Sequence, residues 1–325
     1  MPDTRAAPTT RDGLLANLRA VFDGEDPVLF TDDHDLAGWL NGLDIEATVL
    51  DSRSAERLSG PLPPRVVVVP LEYGRLPSRR ALRDLLSNSS ALWFPFASFS
   101  PDFDTAAYAL ELFAASDVTR AVALNRRLLT RLLLARDAIT LSGPDTELTA
   151  RLPDVLHASS RTRLGMLPDE HSTLGNYFEV ALSPTDLSGR VDDSFTISGT
   201  LRIDSVLAAK HRELAGPRAG YFPAATELAA EMRKACPLYF TIRDNRIVDG
   251  LGIWAKAIEE MSGPQYRGAL TEFAFGTSGL PPEKVDWNLN CLLNESVSGI
   301  HVAVGDSISG IHFDFIATEA ELNGV

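Results

Sequence analysis

Four consecutive valines, Val66–Val69 within RVVVVPL, restrict what this chain can fold into more than any other feature. β-branched side chains favour extended backbone, and an apolar run without polar alternation suits a strand covered on both faces, as in a parallel sheet. The neighbouring text agrees. VLF at 28–30, IEATVLD at 45–51 and ALWFPFAS at 91–98 read as further strands, with the helical patterns LAGWLNGL and SRRALRDLLSN among them. Strand–helix alternation of this kind predicts a parallel sheet with crossover helices. No GxGxxG or GxxxxGKS/T follows any of these strands, so no nucleotide-phosphate loop is expected. The acidic stretch TDDHD, with Asp32, Asp33, His34 and Asp35, is expected to be a solvated strand-to-helix turn capped by an aspartate rather than a metal cluster.

Residues 1 to about 11 read as a disordered lead-in. A long helix is predicted from Val118 to about Ala138, with Leu124, Leu128, Leu129, Leu132 and Leu133 along one side. After it the texture changes. AITLSGPDTELTARLP reads as a hairpin turning at GPD. FEVALSP, SFTISGTLRI and LYFTIRDNRIVDG read as strands, the last with a tight DN turn. ELAAEMRKA and IWAKAIEEM read as helices, and LTEFAFGT, SGIHVAVGDSISG and IHFDFIAT close the chain as strands. The expectation is an α/β N-terminal domain with a mainly parallel sheet over residues 1–138, and a strand-rich α+β domain over 139–325 that carries the site.

Composition removes several classes of function. Thirty Lys and Arg against 44 Asp and Glu give a formal net charge of −14, and no basic stripe offsets it, so a nucleic-acid partner is not expected. Two cysteines, Cys236 and Cys291, make neither a disulfide framework nor a thiolate metal site. The apolar runs are far shorter than the roughly 20 residues of a membrane span, and the first residues lack the apolar region of a signal peptide. A soluble, cytoplasmic protein with no membrane partner is expected.

The chemistry concentrates in the last strands. In IHFDF, His312 and Asp314 stand at i and i+2, which in a strand puts them on one face, with Phe313 and Phe315 on the other. The short DSISG connection predicts that this strand pairs with GIHVAVGD, which brings in His301. Two imidazoles and a carboxylate form a donor set suited to Fe(II), or to Zn(II) with an open position. Glu272 in LTEFAFGT adds a carboxylate flanked by apolar strand residues. A His–Asp pair that is only hydrogen-bonded would read the same way.

These segments carry a resemblance. LTEFAFGTS, NESVSGIHVAVGD and IHFDF resemble the closing third of the thermophilic metallo-aminopeptidases of the aminopeptidase T type, and of 2,5-dihydroxypyridine dioxygenase, which shares their fold. The separation of Glu272 from His301, 29 residues, is similar to that between the family's strand Glu and strand His. The likeness extends upstream through GNYFEVALSP and SFTISGT to about residue 140. It implies metal ligands Glu272, His301, His312 and Asp314, with Glu272 also a candidate base. Under the same likeness the family's first Glu falls at Asn176 and its Tyr at Ile308. That loss favours one divalent ion, iron or zinc, over two. Glu295 is expected to be a structural loop carboxylate and Asp306 to shape a turn.

The divergence from the peptidases also resembles the peptide-binding proteins of crocagin biosynthesis, a ribosomal-peptide pathway. This implies a homodimer that holds a precursor peptide, with Asn176, Trp254, Tyr266 and Trp287 as substrate-binding candidates and edge strands open to strand addition. Two alternatives follow from the same likeness: a mononuclear Fe(II) oxygenase acting on a small or peptidic substrate, and a metal-dependent exopeptidase.

Overall fold

Val66–Val69 are fully shielded from water, as a strand covered on both faces requires. They lie in the strand Arg65–Val69 of a five-stranded sheet in the computed structural model, which describes residues 7–55, 61–135, 138–183, 195–214, 216–263 and 268–323. In spatial order this sheet runs Ala47–Val49, Val28–Thr31, Arg65–Val69, Ser90–Trp93 and His171–Thr173, with every pairing parallel. The last strand arrives from far along the chain and has three residues, too few for a sequence pattern to mark it.

The acidic turn after the first strand divides its work. Asp33 caps the helix His34–Gly42 by accepting from the Leu36 N–H at 2.9 Å. Asp32 is buried, not solvated: its two oxygens accept the N–H groups of Leu71 and Glu72 at 2.7 and 2.8 Å. It thereby ties the loop after the valine strand to the end of its neighbour.

The expected lead-in is helical from Ala7 to Val21. Leu14, Leu18 and Val21, spaced four and three residues apart, are fully buried, and this apolar stripe outweighs the polar start of the segment. Buried Asn17 donates to the carbonyls of Phe113 and Ser116 and accepts from the Val118 N–H. It joins the end of the helix Phe103–Ala115, which the sequence reading omitted, to the start of the helix Val118–Leu134.

The sequence places one division near residue 138. The chain clusters into two compact units that interleave: residues 1–123, 161–178 and 291–293 in one, and 124–160, 179–290 and 294–325 in the other.

The second unit holds two six-stranded antiparallel sheets. One runs Arg246–Asp249, Leu238–Arg243, Thr196–Ile203, Thr146–Arg151, Ile139–Gly143 and Glu321–Leu322. Its hairpins turn where the sequence indicates, with Asp145 at φ 52° and Asp244 and Asn245 at φ 47° and 61°. The other runs Ser205–Ala209, His312–Ala317, Gly299–Val304, Leu270–Gly276, Glu179–Leu182 and Ala158–Ser159. A shared apolar core joins the two sheets, and its ring contacts include Phe240 on Phe315 at 4.9 Å and Phe195 on Phe273 at 5.9 Å.

Ser205–Ala209 forms an outer edge of the second sheet. Its outward backbone groups meet side chains: the Asn290 amide bonds both the N–H and the C=O of Ala208, at 2.9 and 2.8 Å, and Arg233 donates to the Val206 carbonyl at 2.6 Å. The fold is therefore mixed α/β, with one parallel and two antiparallel sheets among the described residues. Among the described residues no helix is long and apolar enough to cross a membrane.

Candidate metal centre

The second antiparallel sheet has two chemically distinct faces. Val180, Leu182, Phe273, Phe275, Val302, Phe313 and Phe315 enter the apolar core. Residues one step out of phase occupy the other face, because side chains alternate along a strand. The register aligns them across four strands: Gly276 pairs with Glu179, Ala274 with His301, Glu272 with Ala303, and Ala303 with Asp314. Functional side chains thus alternate with small ones, so five polar groups converge without steric conflict.

Glu272 lies at the middle. Its Oε1 is 3.2 Å from His301 Nε2, and its Oε2 is 3.7 Å from His312 Nε2. His301 Nε2 also lies 3.9 Å from Glu179 Oε2, and His312 Nε2 lies 2.9 Å from Asp314 Oδ1. Donor atoms fall into two groups able to hold an ion, Glu179–Glu272–His301 and Glu272–His312–Asp314, each with all its atoms within 4.8 Å of one another. Glu272 belongs to both.

The four sequence-predicted ligands, Glu272, His301, His312 and Asp314, come together. Glu179 was missed. The resemblance placed the first acidic ligand at Asn176, three residues early. Asn176 lies on the short helix Gly175–Phe178, where its carbonyl accepts from the Arg161 N–H at 2.6 Å. Glu179 opens the following strand and brings the carboxylate that Asn176 lacks. The sequence does carry a signal for it: in EVAL the acid is followed by an apolar run, and period-two alternation puts Glu179 on the face opposite Val180 and Leu182.

The other candidates lie outside both donor groups. Trp254 ends a 3-10 turn and packs against the core. Trp287 is half-buried in a turn, and Tyr266 lies outside the described residues. Ile308 belongs to the loop between the two histidine strands, where its N–H donates to Asp306. Asp306 also accepts from the N–H and hydroxyl of Ser309, which gives it the expected turn role.

Burial makes the electrostatics severe. His301 and Asp314 are each 1% exposed. Taking ionised groups out of water costs several kcal/mol apiece unless they are compensated. Burial and the neighbouring carboxylate of Glu272 push Glu179 up to about 7. Burial by itself would lower both imidazoles, but the carboxylates prevail. Asp314 and Glu272 push His312 up to about 10, and Glu272 with Asp314 raises His301. Burial works against ionised Asp314, yet His312 first and His301 after it hold it below its ordinary range. The raised imidazoles and the lowered Asp314 thus stabilise one another's charge.

Hydrogen bonding is incomplete. His312 Nε2 forms an ion pair with Asp314 Oδ1 at 2.9 Å, yet both Asp314 oxygens are buried without a well-formed hydrogen bond. His301 Nδ1 is likewise unpartnered. On the far side of its ring, His312 Nδ1 lies 2.6 Å from the Gly305 carbonyl. A carbonyl only accepts, so Nδ1 carries the proton and Nε2 is the atom presented to the acids. Two imidazoles, three carboxylates and buried oxygens lacking donors fit a divalent cation.

No curated protein matches this chain. A solved structure, wild-type AmpT from Thermus thermophilus, is similar with a TM-score of 0.48 at 14% identity, covering 95% of this chain and 92% of that one. The family model described as crocagin biosynthetic protein CgnE/B matches residues 24–324, and the chain belongs to that family.

Proposed function

We propose that this protein binds the precursor peptide of a ribosomal natural-product pathway and holds a divalent metal at Glu179, Glu272, His301, His312 and Asp314. Family membership supports the role in ribosomal-peptide biosynthesis. The observation that carries the metal is the convergence of those five donors on one sheet face, with Asp314 buried and unsatisfied. When bound, the ion supplies Lewis acidity toward a peptide carbonyl or a water. The chain's own residues do the rest. His312 presents Nε2 because Gly305 fixes its other nitrogen. Glu272, placed between the two imidazoles and common to both donor groups, would be the central ligand; it could take a proton from a water only where it does not itself ligate the ion. The proposed working form is a homodimer, to be measured by light scattering.

Glu179 removes half of the argument for a single ion, the neutral residue at the first acidic position; the other half, Ile308 where the family has its Tyr, stands. Two donor groups sharing Glu272 favour a second reading, metal-dependent hydrolysis of a peptide, in which each group would hold an ion and the ions would supply Lewis acidity. An Fe(II) oxygenase site needs both imidazoles on one ion, whereas His301 and His312 fall in different groups.

Elemental analysis of protein purified without chelator or His tag, paired with calorimetry against precursor peptides, tests the proposal. The expected result is at least one equivalent of zinc or iron, reduced in His301→Ala, and saturable peptide binding. Absence of both metal and peptide binding would overturn it. Release of amino acids from the bound peptide would select the hydrolytic reading.

A further inference from the structure

The strand that delivers Glu272 is irregular beside it. Leu270 pairs with Val304 and Glu272 with Ala303, so Thr271 is an extra residue, a β-bulge. The bulge allows Leu270 to enter the core while Glu272, two positions on, faces the metal centre. It also turns the Thr271 side chain inward. The residue is buried, and its hydroxyl donates to the Gly305 carbonyl at 2.5 Å, with the Ala303 carbonyl farther away at 3.3 Å.

The Gly305 oxygen thus accepts two bonds, one from Thr271 Oγ1 and one from His312 Nδ1. A carbonyl has two lone pairs, and both are committed. Gly305 itself has φ 93°, and a Cβ there would lie 2.0 Å from the Ile311 oxygen, so the carbonyl's direction depends on a backbone form that suits glycine. One bulge therefore sets two ligands: Glu272 directly, and His312 through a shared carbonyl.

We infer that Thr271 is a positioning residue for the metal centre, holding the Gly305 carbonyl so that it orients His312 as a ligand. This rests on the metal reading above. A threonine hydroxyl is required because only a donor can fix the oxygen, whereas the isosteric Val fills the space and leaves the carbonyl free to turn. Partners of metal-bound imidazoles typically change affinity about 10- to 100-fold when removed.

The test compares full-length wild type with Thr271→Val and Thr271→Ser. Zinc affinity is measured by competition with a chromophoric chelator, and the His312 Nδ1 proton is followed by NMR in both metal-free and zinc-loaded protein. In Thr271→Val, zinc should bind about 10- to 100-fold more weakly, and the Nδ1 proton should move upfield and exchange with water faster. Thr271→Ser should restore both to near wild type. Wild-type zinc affinity and an unchanged Nδ1 proton in Thr271→Val would overturn the inference, as would equal losses in the Val and Ser variants. If wild type binds no divalent ion, the metal reading fails, and the Nδ1 proton of the metal-free variants decides the positioning role alone. If the Val variant does not fold, Thr271→Ala takes its place with the same expectations.

Discussion

The charge balance of this buried cluster makes a quantitative forecast. In an unfolded chain a histidine titrates near 6.5, whereas in the folded protein Asp314 and Glu272 push His312 up to about 10 against the effect of burial. Between those values the folded state keeps a proton that the unfolded state has released. A raised value of this kind stabilises fully below the unfolded pKa, and the stabilisation is lost as pH rises toward the folded one. Each pH unit in that window is worth about 1.4 kcal/mol, so between pH 7 and pH 8.5 chelator-treated protein should lose on the order of 2 kcal/mol. Glu179, pushed up to about 7, acts with the same sign in a lower window, and the lowered Asp314 titrates in more acidic solution still. A divalent ion replaces the protons, so zinc should remove most of the slope. Urea unfolding in EDTA and in excess zinc, at pH 7.0, 7.5, 8.0 and 8.5, measures both slopes, and His312→Gln isolates the contribution. Because His301 is raised as well, His312→Gln should flatten the slope rather than abolish it; stability that is flat or rising with pH in EDTA, or a slope undiminished in His312→Gln, would refute the reasoning.

Three further outcomes follow from the geometry. Glu179→Gln should weaken zinc binding by more than about tenfold, or 1.4 kcal/mol, as read by chelator competition, because it removes one of three carboxylates from the centre. Asn290→Ala leaves the buried N–H and C=O of Ala208 without partners. At about 1–3 kcal/mol for each of the two orphaned groups, urea unfolding should show a loss of about 2–6 kcal/mol, and a loss below 1 kcal/mol would count against the edge role. Burial acts against ionised Glu170, but the Leu167 N–H, Arg161 and Arg163 outweigh it and hold the carboxyl below its ordinary value. Glu170→Gln should therefore cost about 1–2 kcal/mol at pH 7, with the gap from wild type closing as acid protonates the carboxylate.

What the sequence revealed of the site followed how local the signal was. His312 and Asp314 were legible because their i, i+2 spacing fixes a face, and His301 because a short connection forces a hairpin. Glu272 was placed by its distance from His301, but the bulge at Thr271 that aims it depends on pairing with another strand and leaves no mark on its own text. Glu179 was overlooked because a resemblance read without its strand register drifted by three residues. The fold shows the same limit. The valine strand and the hairpins at Asp145 and Asp244–Asn245 were readable from β-branched runs and turn residues. The three-residue strand His171–Thr173 was not, since its only support is the neighbour it joins. The helix Ala7–Val21 was masked by a polar beginning, although Leu14, Leu18 and Val21 carry its stripe.

The amide of Asn290 and the guanidinium of Arg233 act as a false neighbouring strand along Ser205–Ala209. A guest segment adding there would first have to evict both and would recover only equivalent bonds, so that border offers no gain to an extended peptide. The same closure protects the molecule against uncontrolled stacking of its own copies, the usual hazard of an open sheet border. Any pairing with a guest strand is thereby directed to the other borders of the two sheets.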